Sequence, residues 1–182
     1  RDWLAGRLLG LPLGAEELAR LDRDFALLTA NALEQPQVCV HRDYHSRNLM
    51  VASPPTPGIL DFQDAVVGPV TYDLVSLLKD CYIRWPLARI DDWAMGYFEL
   101  AVQSGVLDGA LEGRFLRWLD LMGAQRHLKA AGIFARLWLR DGKPGYLKDI
   151  PRTLGYIVEA AGRRGELGDL AALIDDRVLP AM

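Results

Sequence analysis

Apolar residues at helical spacing fill most of this chain, and one stretch breaks the pattern. From Ala15 to Leu33 they recur three and four positions apart, which predicts an amphipathic helix. The same spacing returns at Tyr72, where it predicts a helix that reaches Tyr82, and it continues in further segments to Asp176. We therefore expect a mainly helical protein with one non-helical insert.

The insert begins after Pro36 and is predicted to form short strands. The segments "VCV", "NLMV" and "ILDF" are short and apolar, and the turn-rich "ASPPTPG" separates the second from the third. We expect a strand from Leu49 to Val51 and a return strand from Ile59 to pair as a hairpin. The predicted fold class is α+β: mainly α with a small β-hairpin insert.

Composition limits the number of domains and the kinds of partner. The chain has 182 residues, 51% of them hydrophobic, which is enough for the core of a single domain over residues 1–182. The net charge is −3 and the two signs are interspersed, so we expect no nucleic acid and no membrane surface as partner. No apolar run approaches the length of a membrane span.

The two cysteines and the first residues indicate a setting. Cys39 and Cys81 lie in apolar segments and are expected to be reduced core residues, which favours a cytoplasmic location. The opening "RDWLAGRLLG" has neither the layout of a signal peptide nor an initiator methionine. We expect the chain to begin within a longer protein.

The segment "VCVHRDYHSRNLMV" places several chemically active side chains between two apolar runs. The predicted hairpin brings Asn48 and Asp61 to the same end, and Asp43 lies five residues before Asn48 in the incoming loop. Mg²⁺ prefers oxygen ligands and completes its shell with water and substrate phosphates, which suits Asn48 and Asp61. Asp43 would remain free for proton chemistry.

These residues carry a family resemblance. His41-Arg42-Asp43, followed by Asn48, resembles the catalytic loop of kinases, and Asp61-Phe62 resembles their magnesium-binding motif. The continuation "DFQDAVVGPVTYDL" is similar to the aminoglycoside phosphotransferase superfamily of small-molecule kinases. Two longer segments, "VGPVTYDLVSLLKDCYIRWP" and "LMGAQRHLKAAGIFARLWLRDGKPGYLKDIPRTLGYI", resemble the bacterial cell-wall amino-sugar kinases.

The resemblance implies the C-terminal lobe of a protein-kinase-like fold and a transfer of the ATP γ-phosphoryl group. The acceptor would be the anomeric hydroxyl of N-acetylmuramate or N-acetylglucosamine. Asp43 would accept the proton of that hydroxyl, and Asn48 and Asp61 would hold Mg²⁺ on the phosphates.

One part of the kinase pattern is absent. No two of the 17 glycines are two positions apart, so the glycine-rich phosphate loop GxGxxG does not occur. No lysine lies in a strand-like apolar run ahead of the catalytic loop. We therefore expect the N-terminal ATP lobe to be missing, and we expect the 182-residue chain alone to bind ATP poorly and to turn over nothing.

Two residues near the site are expected to be structural. His41 is predicted to brace the loop by hydrogen bonding, and Asp73 is predicted to cap the helix that opens at Tyr72. An alternative use of His41 is zinc binding with His45, four residues on, but the preceding "VCV" argues against a helix there and His127 is distant. Zinc-dependent hydrolysis is therefore the weaker alternative.

Five further side chains are candidates for contact with a sugar: His45, Asp64, Trp85, Arg126 and Arg136. The two arginines belong to a basic stripe on a predicted helix, and the planar guanidinium matches the carboxylate of N-acetylmuramate. Each has a structural alternative, because such stripes are commonly solvated faces, Asp commonly caps loops, and aromatic residues at helical spacing are usually core.

Two other functions stay open. One is another small-molecule kinase of the same superfamily, of the aminoglycoside or choline type, whose cationic substrate would require an acidic pocket. The other is a non-catalytic kinase-like module that keeps the loop but lacks an ATP lobe.

Overall fold

The computed structural model describes residues 1–53 and 57–182. Within them the chain forms helices with two small pairs of strands, as the predicted fold class requires. In chain order the elements are α1 (Ala15–Glu34), β1 (Gln37–Val40), β2 (Leu49–Met50), β3 (Gly58–Ile59), β4 (Val66–Pro69), α2 (Tyr72–Leu78), α3 (Leu87–Gln103), α4 (Glu112–Asp141), α5 (Ile150–Arg163) and α6 (Gly168–Leu173). Asp2–Leu8 and Ile174–Val178 are π-helical.

The helix that begins at Tyr72 is shorter than its apolar spacing predicts. It ends at Leu78, so the expectation that it reaches Tyr82 is wrong. The carboxylate of Asp80 accepts the backbone N–H of Tyr82 at 2.9 Å. Such a local side-chain bond to the backbone competes with the helical bond and ends the helix.

The strands form two antiparallel pairs, one nested inside the other along the chain. The predicted hairpin is confirmed: β2 pairs with β3, with Leu49 opposite Ile59. The outer pair, β1 with β4, places Val38 opposite Gly68, and the periodicity did not predict β4. A Cβ on Gly68 would lie 3.2 Å from the Val40 side chain, so glycine permits this close approach. The expected proline-rich reversal lies partly outside the described residues.

The chain divides into two compact units, and the boundaries fall inside α1 and α4. Unit 1 comprises Arg1–Ala30 and Gly123–Met182, and unit 2 comprises Asn31–Met122. A single domain over residues 1–182 stays a prediction.

Unit 2 has a core of aliphatic and aromatic side chains from α2, α3 and the first part of α4, including the fully buried Phe115 and Trp118. Beside it, the buried amide of Gln35 accepts hydrogen bonds from the N–H and the hydroxyl of Thr71, at 3.3 and 2.7 Å. Val70 N–H donates to the Pro36 carbonyl at 3.0 Å. The residues before β1 and before α2 are thereby held together.

Unit 1 packs the C-terminal helices around apolar residues of α5 and α6 such as Leu154, Ile157 and Leu170. The buried ring of His127 stacks on Tyr156, with ring centroids 4.7 Å apart. His127 is thus packed in the interior of this unit.

The cysteines are free, as expected, but they are not core residues. Cys39 is exposed and Cys81 is half-buried. On β1, successive side chains point to opposite faces, and the buried face is taken by Val40, which is 2% exposed. Among the described residues, no helix is both long enough and apolar enough to span a membrane.

One buried carboxylate in unit 1 gives the protein a measurable pH dependence. Asp24 is 6% exposed, and its Oδ2 has no hydrogen-bond partner among the described residues. Burial raises the pKa of Asp24 above its ordinary value of 3.8, and the negative charge of Asp169 raises it further, against the opposing effect of Arg23. At pH values between 3.8 and the raised pKa, the folded state therefore retains a proton that the unfolded state releases.

We predict that Asp24→Asn increases the free energy of unfolding at neutral pH. The native state of the parent binds more protons, so the parent loses stability as the pH rises from 3.8 through the raised pKa, and the variant lacks this loss. Urea unfolding at a series of pH values measures it, with the exposed Asp175→Asn as control. An advantage of Asp24→Asn that shrinks as the pH rises would contradict the prediction.

Candidate active site

The candidate site lies wholly in unit 2, between β1 and β4 along the chain. Strand β1 leads into the loop His41–His45, and a single 3₁₀ turn, Ser46–Asn48, leads from it into β2. Beyond β3, the N–H of Leu60 donates to the Asn48 carbonyl at 3.0 Å. This bond extends the hairpin by one residue and returns the chain to the loop.

The structure brings the three predicted catalytic and metal-binding residues together. The Asn48 side-chain nitrogen donates to the Asp43 carbonyl at 3.0 Å and lies 3.4 Å from Oδ2 of Asp61. The other carboxylate oxygen of Asp61 accepts from the Gln63 amide at 2.7 Å. Asn48 thus links the loop to the end of the hairpin, as the predicted convergence requires.

Two groups in this cluster are left available. Among the described residues, neither the Asp43 carboxylate nor Oδ1 of Asn48 accepts a hydrogen bond. Since Nδ2 of Asn48 makes both of its contacts inside the cluster, its oxygen is the atom that remains for a ligand. The arrangement leaves the Asp43 carboxylate for a substrate hydroxyl and Oδ1 of Asn48 for a cation, and the Asp61 carboxylate, which accepts from Gln63, lies 3.4 Å from the nitrogen of the same amide.

The loop is anchored on α2 by a carboxylate. Asp73 accepts the backbone N–H groups of His41 and Arg42, at 2.6 and 3.0 Å. The expectation that Asp73 caps its own helix is wrong: no side chain caps the start of α2, because this carboxylate is engaged by the loop. Arg42 has φ of 77°, a left-handed conformation that costs a non-glycine residue energy and has to be held by its surroundings.

The His41 ring connects the loop to the hairpin. Its Nε2 donates to the carbonyl of Leu60 at 2.9 Å, the geometry that a bracing role needs. The following residue, Asp61, has φ of 67°, so the chain turns sharply where this carboxylate enters the site. Both strained residues of the described chain therefore adjoin the same site.

Sequence reasoning missed a second anchoring carboxylate, Asp80. Its Oδ2 accepts the N–H and the hydroxyl of Ser46, at 3.1 and 2.5 Å. Asp80 follows Asp73 by seven positions, but α2 ends at Leu78, so this spacing does not predict that both residues contact the loop.

The candidates for sugar contact are distributed over both units. His45 lies edge-on to Tyr82, Asp64 accepts a 3.4 Å bond from Arg42 through its backbone carbonyl, and Trp85 packs edge-on against Trp93. The remaining two, Arg126 and Arg136, lie on the part of α4 that belongs to unit 1. The sugar-binding roles of all five stay predictions.

The donor set distinguishes between the metals considered. Among the described residues, no group of three His, Cys, Asp or Glu side chains is placed to hold a metal ion, so the zinc alternative finds no site there. Mg²⁺ commonly takes only one or two protein ligands and completes its shell with phosphates and water. The oxygens of Asn48 and Asp61 fit that requirement.

Comparison with known proteins agrees with this geometry. Residues 1–105 match the model of the phosphotransferase enzyme family. The chain belongs to that family. Three similar proteins are named N-acetylmuramate/N-acetylglucosamine kinase: those of Pseudomonas putida and Pseudomonas aeruginosa are 52% identical over 95% of this chain, and that of Neisseria meningitidis is 43% identical over 97%. The chain spans 51%, 51% and 53% of their lengths, about half of each.

The family match covers the whole candidate site. Asp43, Asn48, Asp61, Asp73 and Asp80 all fall within the matched residues 1–105. The resemblance to small-molecule kinases drawn from the loop motif is therefore confirmed at the level of the family.

We predict that Asp73→Asn destabilises the protein by about 2 kcal/mol, since a carboxylate that accepts two backbone N–H groups is replaced by an amide that offers one acceptor oxygen. Urea unfolding measures the loss, and amide hydrogen exchange at His41 and Arg42 should accelerate in the variant. The matched control is Asp92→Asn, an exposed position on α3. Equal stability of Asp73→Asn and Asp92→Asn would show that the bonds from His41 and Arg42 to Asp73 do not stabilise the fold.

Proposed function

We propose that the protein containing this chain is an ATP- and Mg²⁺-dependent kinase that phosphorylates the anomeric hydroxyl of N-acetylmuramate and N-acetylglucosamine. The observation that carries the proposal is the cluster of Asp43, Asn48 and Asp61 in a member of a phosphotransferase family: the Asn48 amide bonds to the Asp43 backbone and lies 3.4 Å from Asp61, and the Asp43 carboxylate accepts no hydrogen bond among the described residues. The names of the relatives support the choice of sugar.

Asp43 is the general base in this proposal. Its carboxylate accepts the hydrogen of the sugar hydroxyl, orients the oxygen toward the γ-phosphorus and takes the proton as the new bond forms. Asn48 bonds to the backbone carbonyl of Asp43, so the base and the metal ligand are held at a fixed separation. Such positioning supplies much of the catalysis in phosphoryl transfer.

Asn48 and Asp61 would hold the metal through Oδ1 of the amide and the carboxylate. When bound, Mg²⁺ neutralises charge on the phosphates. The left-handed turn at Asp61 and the hydrogen bond from Gln63 fix that carboxylate before nucleotide arrives. Less reorganisation is then needed at the moment of reaction.

We also propose that this chain is the C-terminal lobe and works with an N-terminal lobe that completes the ATP site. Two observations support this: the chain spans about half of its relatives, and several apolar side chains of the strand region are exposed. These are Met50, Val51, Ile59, Phe62, Val66 and Val67. The isolated chain is then expected to show no turnover. We also propose a cytoplasmic location for the full-length protein, because the proposed reaction consumes ATP.

We predict that Asp43→Asn in the full-length protein lowers kcat at least about hundredfold, because general-base catalysis contributes roughly 10²- to 10⁴-fold. ATP affinity should be nearly unchanged, since the metal ligands remain. The measurement is phosphate transfer from ATP to N-acetylmuramate, N-acetylglucosamine and an aminoglycoside with Mg²⁺ present. The matched control is Asp92→Asn.

The outcomes separate the parts of the proposal. Turnover of both N-acetyl sugars, with a ³¹P signal split by the anomeric proton alone, supports the substrate and the position of transfer. Turnover of the aminoglycoside alone would keep the kinase chemistry and overturn the sugar. Unchanged turnover in Asp43→Asn would overturn the assignment of the base.

A further inference from the structure

We infer that Asp80 is a positioning residue that holds Ser46, where the loop His41–His45 enters the 3₁₀ turn, and thereby sets the location of the Asn48 amide. The inference rests on the proposed function. Asp80 is 3% exposed and joins two segments 34 positions apart. Among the described residues, Asp80 is not hydrogen-bonded to Asp43, Asn48 or Asp61. It therefore acts on the site through Ser46.

The carboxylate of Asp80 accepts hydrogen bonds from at least three donors. Oδ2 accepts the N–H and the hydroxyl of Ser46, and Oδ1 accepts the N–H of Tyr82 at 2.9 Å. A carboxylate offers acceptors on both oxygens, whereas an amide would turn an NH₂ group toward one of these donors. Asparagine at this position would therefore lose at least one bond and leave a donor unmatched.

The ring of Tyr82 extends the same attachment along the loop. The guanidinium carbon of Arg47 lies 3.4 Å from the centroid of this ring, and the His45 ring meets it edge-on at 5.8 Å. Three consecutive residues, His45, Ser46 and Arg47, thus contact either Asp80 or Tyr82. We call this contact the Asp80 anchor.

Lys79, the residue before Asp80, is fixed in the core of unit 2. The ammonium of Lys79 lies 2.8 Å from the Asp120 carboxylate, and the two side chains are 5% and 1% exposed. A buried pair with this geometry is costly to separate. The Asp80 anchor therefore presents a rigid support rather than a mobile one.

The effect of the anchor reaches Asn48 through the backbone. Asn48 is the last residue of the 3₁₀ turn that begins at Ser46, and its N–H donates to the His45 carbonyl at 2.9 Å. A displacement of Ser46 moves this turn, and with it the Asn48 side chain that lies 3.4 Å from Asp61. Loss of the anchor should therefore weaken metal use more than sugar binding.

The test compares Asp80→Asn with the parent and with Asp92→Asn in the full-length protein. We expect the Mg²⁺ concentration for half-maximal rate to rise by about 10- to 100-fold, the range typical of partners that orient metal ligands. The rate at sub-saturating Mg²⁺ should fall accordingly. The KM for N-acetylmuramate should change by a smaller factor than the Mg²⁺ requirement, since His45 contacts the ring of Tyr82 and not Asp80 itself. A merely structural role would not move the Mg²⁺ requirement selectively.

A second variant covers the case in which Asp80→Asn does not fold. Ser46→Ala keeps the backbone N–H bond and removes only the hydroxyl bond, so a smaller shift of the Mg²⁺ requirement in the same direction is expected. Adding Ser46→Ala to Asp80→Asn should cost less than the product of the single effects, since both remove the same contact. An unchanged Mg²⁺ requirement in both single variants would overturn the inference, as would fully multiplicative effects.

Hydrogen exchange separates this inference from the proposed function. In the full-length protein, peptides covering residues 41–50 should exchange faster in Asp80→Asn than in the parent, whatever substrate is used. Faster exchange in a protein that phosphorylates none of the sugars would support the anchor and overturn the function. Unchanged exchange in an active kinase would overturn the anchor and leave the function in place.

Discussion

The hydrogen bonds from the loop His41–His45 to the Asp73 carboxylate are the interaction on which the rest of the candidate site depends. They engage the N–H groups of His41 and Arg42 where the backbone turns through the left-handed region, a conformation of roughly 1–3 kcal/mol cost that the loop cannot hold alone. Asp43 is the next residue, so these bonds hold the backbone from which its side chain leaves. Charge-assisted bonds to a carboxylate are strong enough to offset such strain.

The nested strand pairs supply the other constraint. Pairing of β1 with β4 closes a loop around the β2–β3 hairpin, and the hairpin returns Asp61 to Asn48. The close packing of Gly68 on Val40 and the bonds of Gln35 to Thr71 hold the base of that closed loop. The strands are short, and their main effect on the site is to bring Asp43, Asn48 and Asp61 together.

The sequence could predict elements that depend on neighbouring residues, but not contacts between residues far apart along the chain. The helix of Ala15–Glu34 follows from periodicity, and the hairpin with Asn48 and Asp61 at one end follows from two apolar runs around a turn. The loop contacts of Asp73 and Asp80 join residues 31 to 34 positions apart, and no spacing rule encodes them. Strand β4 was missed because its partner β1 lies across the whole insert, and Cys39 was misjudged because an apolar segment does not reveal which face is buried.

A change of metal preference at Asp61 tests most directly whether these residues form a metal-dependent phosphotransfer site. In the full-length protein, Asp61→Cys replaces a hard oxygen ligand with a soft sulfur ligand. The expected result is a rate with Mg²⁺ that falls at least about tenfold and a partial recovery with Cd²⁺, neither of which occurs in the control Asp92→Cys on the exposed face of α3. An undiminished Mg²⁺-dependent rate in Asp61→Cys would contradict the site as described.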